Sequence, residues 1–450
     1  MKSSNHLSTR ELLHRLPDRL AHANDPSILR RKPLLKSGFR HSLKARLWIQ
    51  CSSWPANPWN NAPRLASIVE TSEIYLDAAA TTPPLPTVLR CMEDVQRDAW
   101  ANPSSLHSSG LIAAEALGRF RSRTALALKA ESDQLVFTSG ATESVHLALL
   151  GAASKQTPGR VVISAVEHPA VEAAAALLVQ RGWSLERWPV DSTGVLKLDQ
   201  LERLLSPPTR LVSLIWAQSE VGTLQPLVQI GAACRERCVV IHTDATQLLP
   251  QGLIDWSSLP LDLLSFSSHK MQGPRGVGLL LHRQGVIKQS LQGGGGQEGG
   301  LRAGTEPVAL IGGFAEALEN LPRFNPHTQS SPPGAVSQLL GWRDRLQAQF
   351  EAMAGVTVLH SKSTPRLPHH LACLITTAEG RPLSGRRLVR ELARLNVACS
   401  SGSACSSGTV QDSAVLTAMG VDADLRQSLL RFTLGPWVNE ELLDLVPERL

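Results

Sequence analysis

Short apolar runs alternate with helical stretches along the middle of the chain, and this alternation predicts a series of strands joined by helices. The predicted strands span residues 74–77, 134–138, 161–164, 211–215, 239–242, 261–265 and 276–281. Runs that are apolar at nearly every position are typical of strands buried on both faces, as in parallel sheets covered by helices. The pattern therefore predicts an α/β fold built around a parallel sheet.

Polar residues follow these strands at the points where the strands end. They include Glu167 and His168, Gln218 to Glu220, Asp244 to Gln247, and His269 and Lys270. In parallel α/β sheets the ligand binds at the carboxyl ends of the strands, so we expect these residues to share one site. Within the S-F-S-S-H-K stretch, a lysine that follows hydroxyls and an imidazole can form a Schiff base with an aldehyde whose phosphate the other groups hold.

Two glycine-containing stretches were considered as phosphate sites. The S-G-A-T stretch at 139–142 lies between a predicted strand and a helix over 144–152, where backbone N–H groups and the Thr142 hydroxyl can bind a phosphate. The same four residues also suit an ordinary turn and helix N-cap. The glycine-dense stretch at 293–305 has no G-K-[ST] motif, so it indicates a flexible loop near an active site rather than a nucleotide site.

A segment rich in Pro, Ser and Gly at about 325–340 divides the regular part of the chain. Beyond it the pattern predicts helices near 336–353, 385–395 and 415–419, strands near 356–359, 371–375 and 429–433, and a short helix up to residue 450. We therefore predict a large domain over 71–325, whose residues 71–86 pack with the second domain, and a smaller domain over 326–450. Residues 1–70 form a separate extension.

The net charge of +6 belongs to that extension. Residues 1–70 contain 12 Lys and Arg against 4 Asp and Glu, and the remaining chain contains 33 against 35, which gives no basic surface for nucleic acid. The seven cysteines are few and odd in number, which favours reduced thiols in a cytosol-like compartment. No run of 18 apolar residues exists, so no membrane span is predicted.

The extension has three interpretations that the residues leave open. Its many arginines suit an organelle-targeting peptide, although Glu11, Asp18 and Asp25 interrupt the expected acid-free composition. It also suits a disordered, lineage-specific tail, or a start codon assigned too far upstream. The predicted compartment is the cytoplasm, or a plastid or mitochondrion if the extension is a transit peptide.

Over about residues 71–445 the chain resembles the cysteine desulfurases of the class V aminotransferase family, which depend on pyridoxal 5′-phosphate (PLP). The motifs that carry the resemblance are Y-L-D-x-A-A-T-T-P at 75–83, S-G-A-T-E-S at 139–144, E-H at 167–168, D-A-T-Q at 244–247, S-F-S-S-H-K at 265–270, G-G-G-Q-E-x-G-x-R-x-G-T at 294–305, S-S-G-S-A-C at 400–405 and R-F-T-L-G at 431–435. The resemblance implies the PLP-dependent transferase fold of type I. This fold has a large domain with a mostly parallel seven-stranded sheet and a smaller α+β domain at the C-terminus.

The resemblance also implies which residues hold the cofactor ring. Lys270 would bind PLP covalently, Asp244 would pair with the pyridinium nitrogen, and His168 would stack on the ring and help to move protons. Gln247 and the residue at position 219 would contact the ring oxygen O3′. The family usually has Asn where this chain has Ser219, so we expect that contact to be longer or lost.

For the cofactor phosphate, the resemblance implies a cradle at the start of a helix. The backbone of Ala141 and the side chains of Thr142, Ser267 and His269 would bind the phosphate oxygens. Thr305 would reach the phosphate of the partner subunit in a homodimer.

The implied reaction converts L-cysteine to L-alanine. Arg431 would bind the substrate carboxylate with two hydrogen bonds, and the thiolate of Cys405 would take the sulfur as a persulfide. Cys399 is expected to pack in the core. The sulfur would pass to an acceptor or iron–sulfur scaffold protein, for cluster assembly or tRNA thiolation. No resident metal, DNA partner or membrane partner is implied, although Cys405 would transiently share a cluster with a scaffold.

Two alternatives differ in chemistry. One is another class V activity, such as selenocysteine lyase or an aminotransferase, but transamination needs no thiol like that of Cys405. The other is a scaffold with this fold and reduced catalysis, and the presence of Lys270, Asp244 and His168 argues against it.

Overall fold

The strands and helices of the computed structural model follow the order that the apolar pattern predicts. The structure describes residues 73–329, 334–359, 364–402 and 412–450. Its strands are β1 (Ile74–Tyr75), β2 (Leu135–Thr138), β3 (Arg160–Ser164), β4 (Ser184–Trp188), β5 (Thr209–Ile215), β6 (Val240–Asp244), β7 (Leu263–Ser267), β8 (Gly278–His282), β9 (Val356–Val358), β10 (His370–Ile375), β11 (Val397–Ala398), β12 (Ser400–Ser401) and β13 (Leu429–Thr433).

Its α-helices are α1 (Pro86–Asp98), α2 (Ser108–Leu128), α3 (Ala141–Ala153), α4 (Pro169–Gln180), α5 (Leu201–Leu205), α6 (Leu227–Glu236), α7 (Val308–Glu319), α8 (Ala335–Glu351), α9 (Gly385–Arg394), α10 (Ala414–Ala418), α11 (Ala423–Arg426), α12 (Glu440–Leu443) and α13 (Val446–Arg449). Among the described residues, no helix is long and apolar enough to cross a membrane.

The large sheet has seven strands within the described residues, in the order β2-β8-β7-β6-β5-β3-β4. Strand β8 is antiparallel to β2 and β7, and the other neighbouring pairs are parallel. The mostly parallel sheet of the predicted fold is therefore confirmed. Strand β4 escaped the apolar pattern because it lies at the edge of the sheet, where its sequence S-L-E-R-W is mostly polar and partly exposed.

Both faces of this sheet are covered, because successive side chains of a strand point to opposite sides. In β3, Val161 and Ile163 belong to one buried cluster, whereas Val162 belongs to another. Helices α3 and α4 cover the first face. Each fully buried apolar side chain of this kind stabilises the fold by about 1.5–3 kcal/mol relative to an exposed one. The apolar residues on the two faces of the sheet therefore stabilise it, and not the polar residues at the strand ends.

Strand β6 extends two residues beyond its apolar run. Thr243 and Asp244 pair with Leu264 and Ser265 of β7, so the backbone continues the sheet through polar residues. As a result, Asp244 is the last residue of β6, at the strand end where the sequence places it.

The C-terminal part has a four-stranded antiparallel sheet with the order β12-β13-β10-β9. A third buried apolar cluster packs against this sheet and includes Phe350 and Phe432. The centroids of these two rings are 5.2 Å apart in an edge-to-face arrangement. Ile74 and Leu76 belong to the same cluster, and β1 pairs in parallel with β11. The start of the described chain thus packs with its C-terminal part. The domain boundaries near 71 and 325 stay a prediction.

The glycine-dense stretch at 293–305 is fastened to the large sheet by a buried carboxylate. Glu298 is 8% exposed, accepts a hydrogen bond from the Phe137 backbone N–H at 2.9 Å, and pairs with Arg121 at 2.6 Å. Farther along, Arg302 pairs with Glu143 at the start of α3 at 2.8 Å. The glycine content predicts a loop, but it does not predict these two anchors.

We predict that Glu298→Ala lowers the free energy of unfolding by about 2–4 kcal/mol, because it leaves a partly buried guanidinium and a buried backbone N–H without their acceptor. The matched control is Glu319→Ala, which removes a partly exposed ion pair with Arg123 and should cost at most about 1 kcal/mol. Denaturant unfolding followed by tryptophan fluorescence measures both. Equal losses in the two variants would contradict the role of Glu298.

Candidate active site

The carboxyl ends of the central strands face one cavity of about 560 Å³. The predicted site residues that line it are Ala141, Thr142, His168, Ser219, Asp244, Gln247, Ser267, His269, Lys270 and Arg431. The structure thus brings together ten of the twelve predicted site residues. Thr305 lies in a different cavity, and Cys405 falls outside the described residues.

Lys270 ends a short 3₁₀ turn, Ser268–Lys270, that directly follows β7. Its Nζ donates hydrogen bonds to the backbone carbonyls of Ala79 and Ala80, the latter at 2.7 Å. These carbonyls belong to the loop after β1, so the amine is held at the meeting point of that loop and the sheet. The Lys270 side chain also lines the cavity.

Asp244 and Gln247 form the floor of the cavity. Asp244 is 5% exposed, and its carboxylate accepts a hydrogen bond from the Thr246 N–H at 2.9 Å. The Gln247 amide donates to the Ala79 carbonyl at 2.9 Å, so this carbonyl is shared with Lys270. A buried carboxylate beside a lysine suits a ligand that carries a protonated ring nitrogen.

The start of α3 lies at the cavity, where one of the two interpretations of the S-G-A-T motif would place an anion site. The helix begins at Ala141, directly after Gly140, with its first backbone N–H groups at the cavity. A side chain on Gly278 would bring its Cβ within 2.7 Å of the Gly140 backbone, so only glycine permits β8 to approach the turn this closely. Ser267 and His269 line the same part of the cavity.

A carboxylate steadies this turn from outside. Glu143 accepts hydrogen bonds from the Ser139 N–H at 2.6 Å and from Arg302 at 2.8 Å. Burial acts to raise the pKa of Glu143, but the hydrogen bonds from Arg302 and Ser139 outweigh it and lower the pKa. The ionised carboxylate therefore ties the glycine-dense stretch to the first turn of α3.

The two histidines of the cavity are held as neutral rings. His168 caps α4 by accepting the Ala170 N–H at 3.2 Å through Nδ1, and burial lowers its pKa. The negative charge of Asp244 acts to raise this pKa, whereas the positive charge of Lys270 acts to lower it further. For His269, burial and then Lys270 lower the pKa to about 4. Both imidazoles can therefore exchange hydrogen bonds and protons without carrying a fixed charge near neutral pH.

Arg431 crosses from the C-terminal sheet into the cavity. It is 5% exposed, pairs with Asp77 at 2.7 Å and donates to the Ser219 carbonyl at 3.2 Å. Its Nε is buried and has no hydrogen-bond partner among the described residues. The guanidinium therefore retains donor capacity for an acidic ligand group.

Sequence reasoning missed two further residues that line the cavity. Arg275 lies in the turn between β7 and β8 and adds a positive charge near His269. Thr246 has a buried hydroxyl that lacks a partner among the described residues. Arg275 stands in the G-P-R-G turn and Thr246 in the D-A-T-Q motif. Both stretches adjoin residues predicted for the site, so their positions in the sequence could have indicated them.

These observations test whether PLP fits. The cavity combines a lysine, a buried carboxylate and a helix N-terminus with hydroxyls and cations, which suits an aldehyde, a ring nitrogen and a phosphate. The unpartnered Thr246 hydroxyl and Arg431 Nε supply donors that a bound anion would satisfy. The donor set therefore fits the cofactor. Within the described residues no group of three or more His, Cys, Asp or Glu side chains is arranged to hold a metal ion.

The family follows from comparison with known proteins. The family model "Aminotransferase class-V" matches residues 74–445. The chain belongs to the class V aminotransferases. This confirms the family predicted from the motifs.

Named relatives narrow the group to cysteine desulfurases. The chain is 35% identical over 374 residues to the cysteine desulfurase IscS of Dictyoglomus turgidum, a match that covers 83% of this chain and 92% of the relative. It is 35% identical over 381 residues to the mitochondrial cysteine desulfurase of Saccharomyces cerevisiae, covering 84% and 74%. The solved structure of SspA in complex with cysteine has a TM-score of 0.69 and 30% identity, and the match covers 81% of this chain and 99% of that one.

In this class V chain, the glutamate before His168 is the most strongly perturbed acid of the site region. Glu167 accepts hydrogen bonds from the Ser164 N–H at 3.2 Å and the Ile215 N–H at 2.7 Å, while its other carboxylate oxygen is buried without a partner among the described residues. Burial raises its pKa to about 8, and Asp244 adds to the rise. Glu167 is therefore largely protonated at pH 7.

We predict that Glu167→Gln changes how stability depends on pH. A folded-state pKa near 8, above the unfolded value of 4.5, means that the wild type loses stability as the pH rises between these values. The glutamine variant lacks this loss, so its free energy of unfolding should gain on the wild type by roughly 2–4 kcal/mol between pH 5 and 8.

Denaturant unfolding at several pH values measures this difference, and Glu172→Gln on α4 controls for the loss of one carboxylate. A difference between Glu167→Gln and wild type that stays constant from pH 5 to 9 would show that Glu167 is ionised in the fold.

Proposed function

We propose that this class V enzyme is a PLP-dependent cysteine desulfurase that takes sulfur from L-cysteine as a persulfide on Cys405. The observation that carries the proposal is the convergence of Lys270, Asp244, His168 and Arg431 on one cavity. The relatives named cysteine desulfurase and the neighbour solved with cysteine support L-cysteine as the substrate.

The residues of the cavity divide into those for the ring and those for the phosphate. Lys270 would hold the cofactor, Asp244 its ring nitrogen, and the start of α3 with Ser267 and His269 its phosphate. When bound, PLP supplies an electron-accepting ring that stabilises negative charge at the substrate Cα.

The chain's own groups bind the substrate and move its protons. Arg431 would bind the substrate carboxylate through its Nε and through guanidinium N–H groups that the Asp77 carboxylate and the Ser219 carbonyl do not engage. Lys270 would hold the cofactor before the substrate binds, and its amine would afterwards be in place to accept the Cα proton. The His168 ring is available as a proton acceptor, because its lowered pKa keeps the imidazole neutral near neutral pH.

Cys405 completes the transfer. Its thiolate attacks the sulfur of the substrate, so that a sulfur–sulfur bond forms and the carbon–sulfur bond breaks. The electron pair of the broken bond remains on the substrate, which takes up a proton and leaves as L-alanine. The persulfide on Cys405 then passes to an acceptor or scaffold protein for iron–sulfur cluster assembly or tRNA thiolation.

A homodimer is supported by apolar side chains on the surface near Thr305. Leu89, Trp100 and Leu106 are 51%, 67% and 90% exposed. Thr305 shares a cavity of about 640 Å³ with Leu89 and Trp100, apart from the cavity of Lys270. Exposed apolar groups in such number mark an interaction surface, and Thr305 on this surface would face a second subunit that covers it.

We predict that Cys405→Ala abolishes the formation of alanine and sulfide from L-cysteine, because the attacking thiolate is lost. The protein is incubated with PLP and L-cysteine, and alanine and sulfide are measured. The visible absorbance of bound cofactor should persist in Cys405→Ala and disappear in Lys270→Ala. Cys399→Ala serves as the matched control, since Cys399 is buried and burial raises its pKa to about 12.

Several outcomes would contradict parts of the proposal. Alanine release that survives Cys405→Ala would favour a lyase that needs no Cys405 persulfide, such as selenocysteine lyase, whereas conversion of L-cysteine to its 2-oxo acid would favour a transaminase. A cofactor spectrum that survives Lys270→Ala would contradict covalent PLP binding. Normal cofactor binding without turnover of cysteine in the wild type would favour a scaffold.

We predict that mixing the Lys270→Ala and Thr305→Ala proteins restores activity at limiting PLP. If Thr305 serves the partner's site, each mixed dimer contains one intact site, and random exchange gives about a quarter of the wild-type activity. Activity is measured after subunit exchange, with each variant alone as the control. No recovery in verified mixed dimers would mean that Thr305 acts within its own subunit or not at all.

A further inference from the structure

The loop after β5 is fixed to the substrate-binding part of the cavity. The Ser219 carbonyl accepts hydrogen bonds from Arg431 at 3.2 Å and from His370 at 3.0 Å. The next residue, Glu220, donates its backbone N–H to the Gln218 side chain. The backbone of this loop is therefore held from both sides, which fixes where the Glu220 side chain begins.

The Glu220 side chain leaves the cavity and reaches the C-terminal part of the chain. Its Oε2 accepts a hydrogen bond from the Ser413 hydroxyl at 2.6 Å. Ser413 is also the N-cap of α10, because its Oγ accepts the Leu416 N–H at 3.1 Å. A distance of 2.6 Å is typical of a hydroxyl bound to a charged carboxylate. Glu220 thus anchors the first turn of α10.

The same oxygen lies against a second segment. A Cβ built on Gly402 would come within 2.9 Å of Glu220 Oε2 and closer still to Leu429. Gly402 and Ser413 stand on opposite sides of residues 403–411 in the chain, and that segment contains Cys405. The same carboxylate oxygen therefore accepts a hydrogen bond from the flank that follows the cysteine segment and lies close to the flank that precedes it.

We propose that Glu220 is a positioning residue that ties the Cys405 segment to the Ser219 loop, through its hydrogen bond to Ser413 on one flank and its close approach to Gly402 on the other, and this rests on the proposed desulfurase function. Glu220 does not line the cavity of Lys270, whereas the adjacent Ser219 does. It acts through Cys405 and contacts neither the cofactor site nor the substrate site directly. Its task is to set the distance between the sulfur acceptor and a substrate held by Arg431.

The charge state of Glu220 agrees with this geometry. Burial raises its pKa to about 7, while the Ser413 hydroxyl and Arg431 act to lower it. A glutamine at this position keeps a carbonyl oxygen that can accept from Ser413, so it should preserve the anchor. An alanine removes the acceptor and leaves the buried hydroxyl without it.

The test compares two steps of one turnover in the PLP-loaded full-length protein. The first is the change in cofactor absorbance on mixing with L-cysteine, which reports substrate binding. The second is alanine formed in a single turnover, which reports the attack by Cys405. The variants are Glu220→Ala, Glu220→Gln and Ser413→Ala, with Asp412→Ala as the matched control because Asp412 faces Arg426 at 3.6 Å.

We predict that Glu220→Ala and Ser413→Ala slow alanine formation by about 10- to 100-fold, the factor expected from the loss of one hydrogen bond to a charged group. The absorbance change and its dependence on cysteine concentration should stay as in the wild type. Glu220→Gln and Asp412→Ala should form alanine within about twofold of the wild-type rate. The double variant Glu220→Ala, Ser413→Ala should be no slower than either single variant, because both remove the same contact.

Two results would overturn the role of Glu220 alone. One is a wild-type rate of alanine formation in Glu220→Ala while Cys405→Ala is inactive. The other is loss of the cofactor absorbance change together with alanine formation, which would show a general structural role. Alanine formed at the wild-type rate by Cys405→Ala would instead overturn the proposed function, and the role of Glu220 with it.

Discussion

The buried charge of Arg431 is the constraint on which the site and the fold both depend. Its ion pair with Asp77 joins residues 354 positions apart, and its bond to the Ser219 carbonyl joins residues 212 positions apart. Removing one partner from a buried ion pair typically costs about 3–5 kcal/mol. The contacts that stabilise the meeting of β1, the β5 loop and the C-terminal sheet are thus the contacts that aim a guanidinium at the cavity.

The described lining of the cavity contains more basic than acidic side chains. Lys270, Arg275 and Arg431 line it, and among the described residues the acids in its lining are Glu143 and Asp244, each held by hydrogen bonds within the fold. The histidines add no further positive charge, since burial lowers their pKa values. Together with the N-terminus of α3, this balance favours a ligand with more than one acidic group, as a phosphate and a carboxylate together provide.

The sequence could predict which residues gather at the site, but not the long-range contacts that hold them there. Parallel strands bring their carboxyl ends to one edge, so polar residues such as His168 and Asp244 could be placed together from local pattern alone. The edge strand β4 lacks an apolar run, and the anchor at Glu298 depends on a partner 177 positions away. Glu220 was visible at a strand end, but its contact with Ser413 spans 193 positions. The spacing of apolar and polar residues along the chain holds no information about such long-range contacts.

The shared carbonyl of Ala79 explains how Lys270 can leave its place without disturbing the loop after β1. Gln247 donates to the same oxygen at 2.9 Å, so the buried acceptor keeps a partner when the lysine moves. The Ala79 N–H is fixed separately by the Thr433 hydroxyl at 2.9 Å. Ala80, the other acceptor of the lysine, is exposed, and water can replace the amine there. Since an unsatisfied buried carbonyl would cost about 1–3 kcal/mol, this arrangement lowers the free energy required to move the Lys270 amine away from the loop.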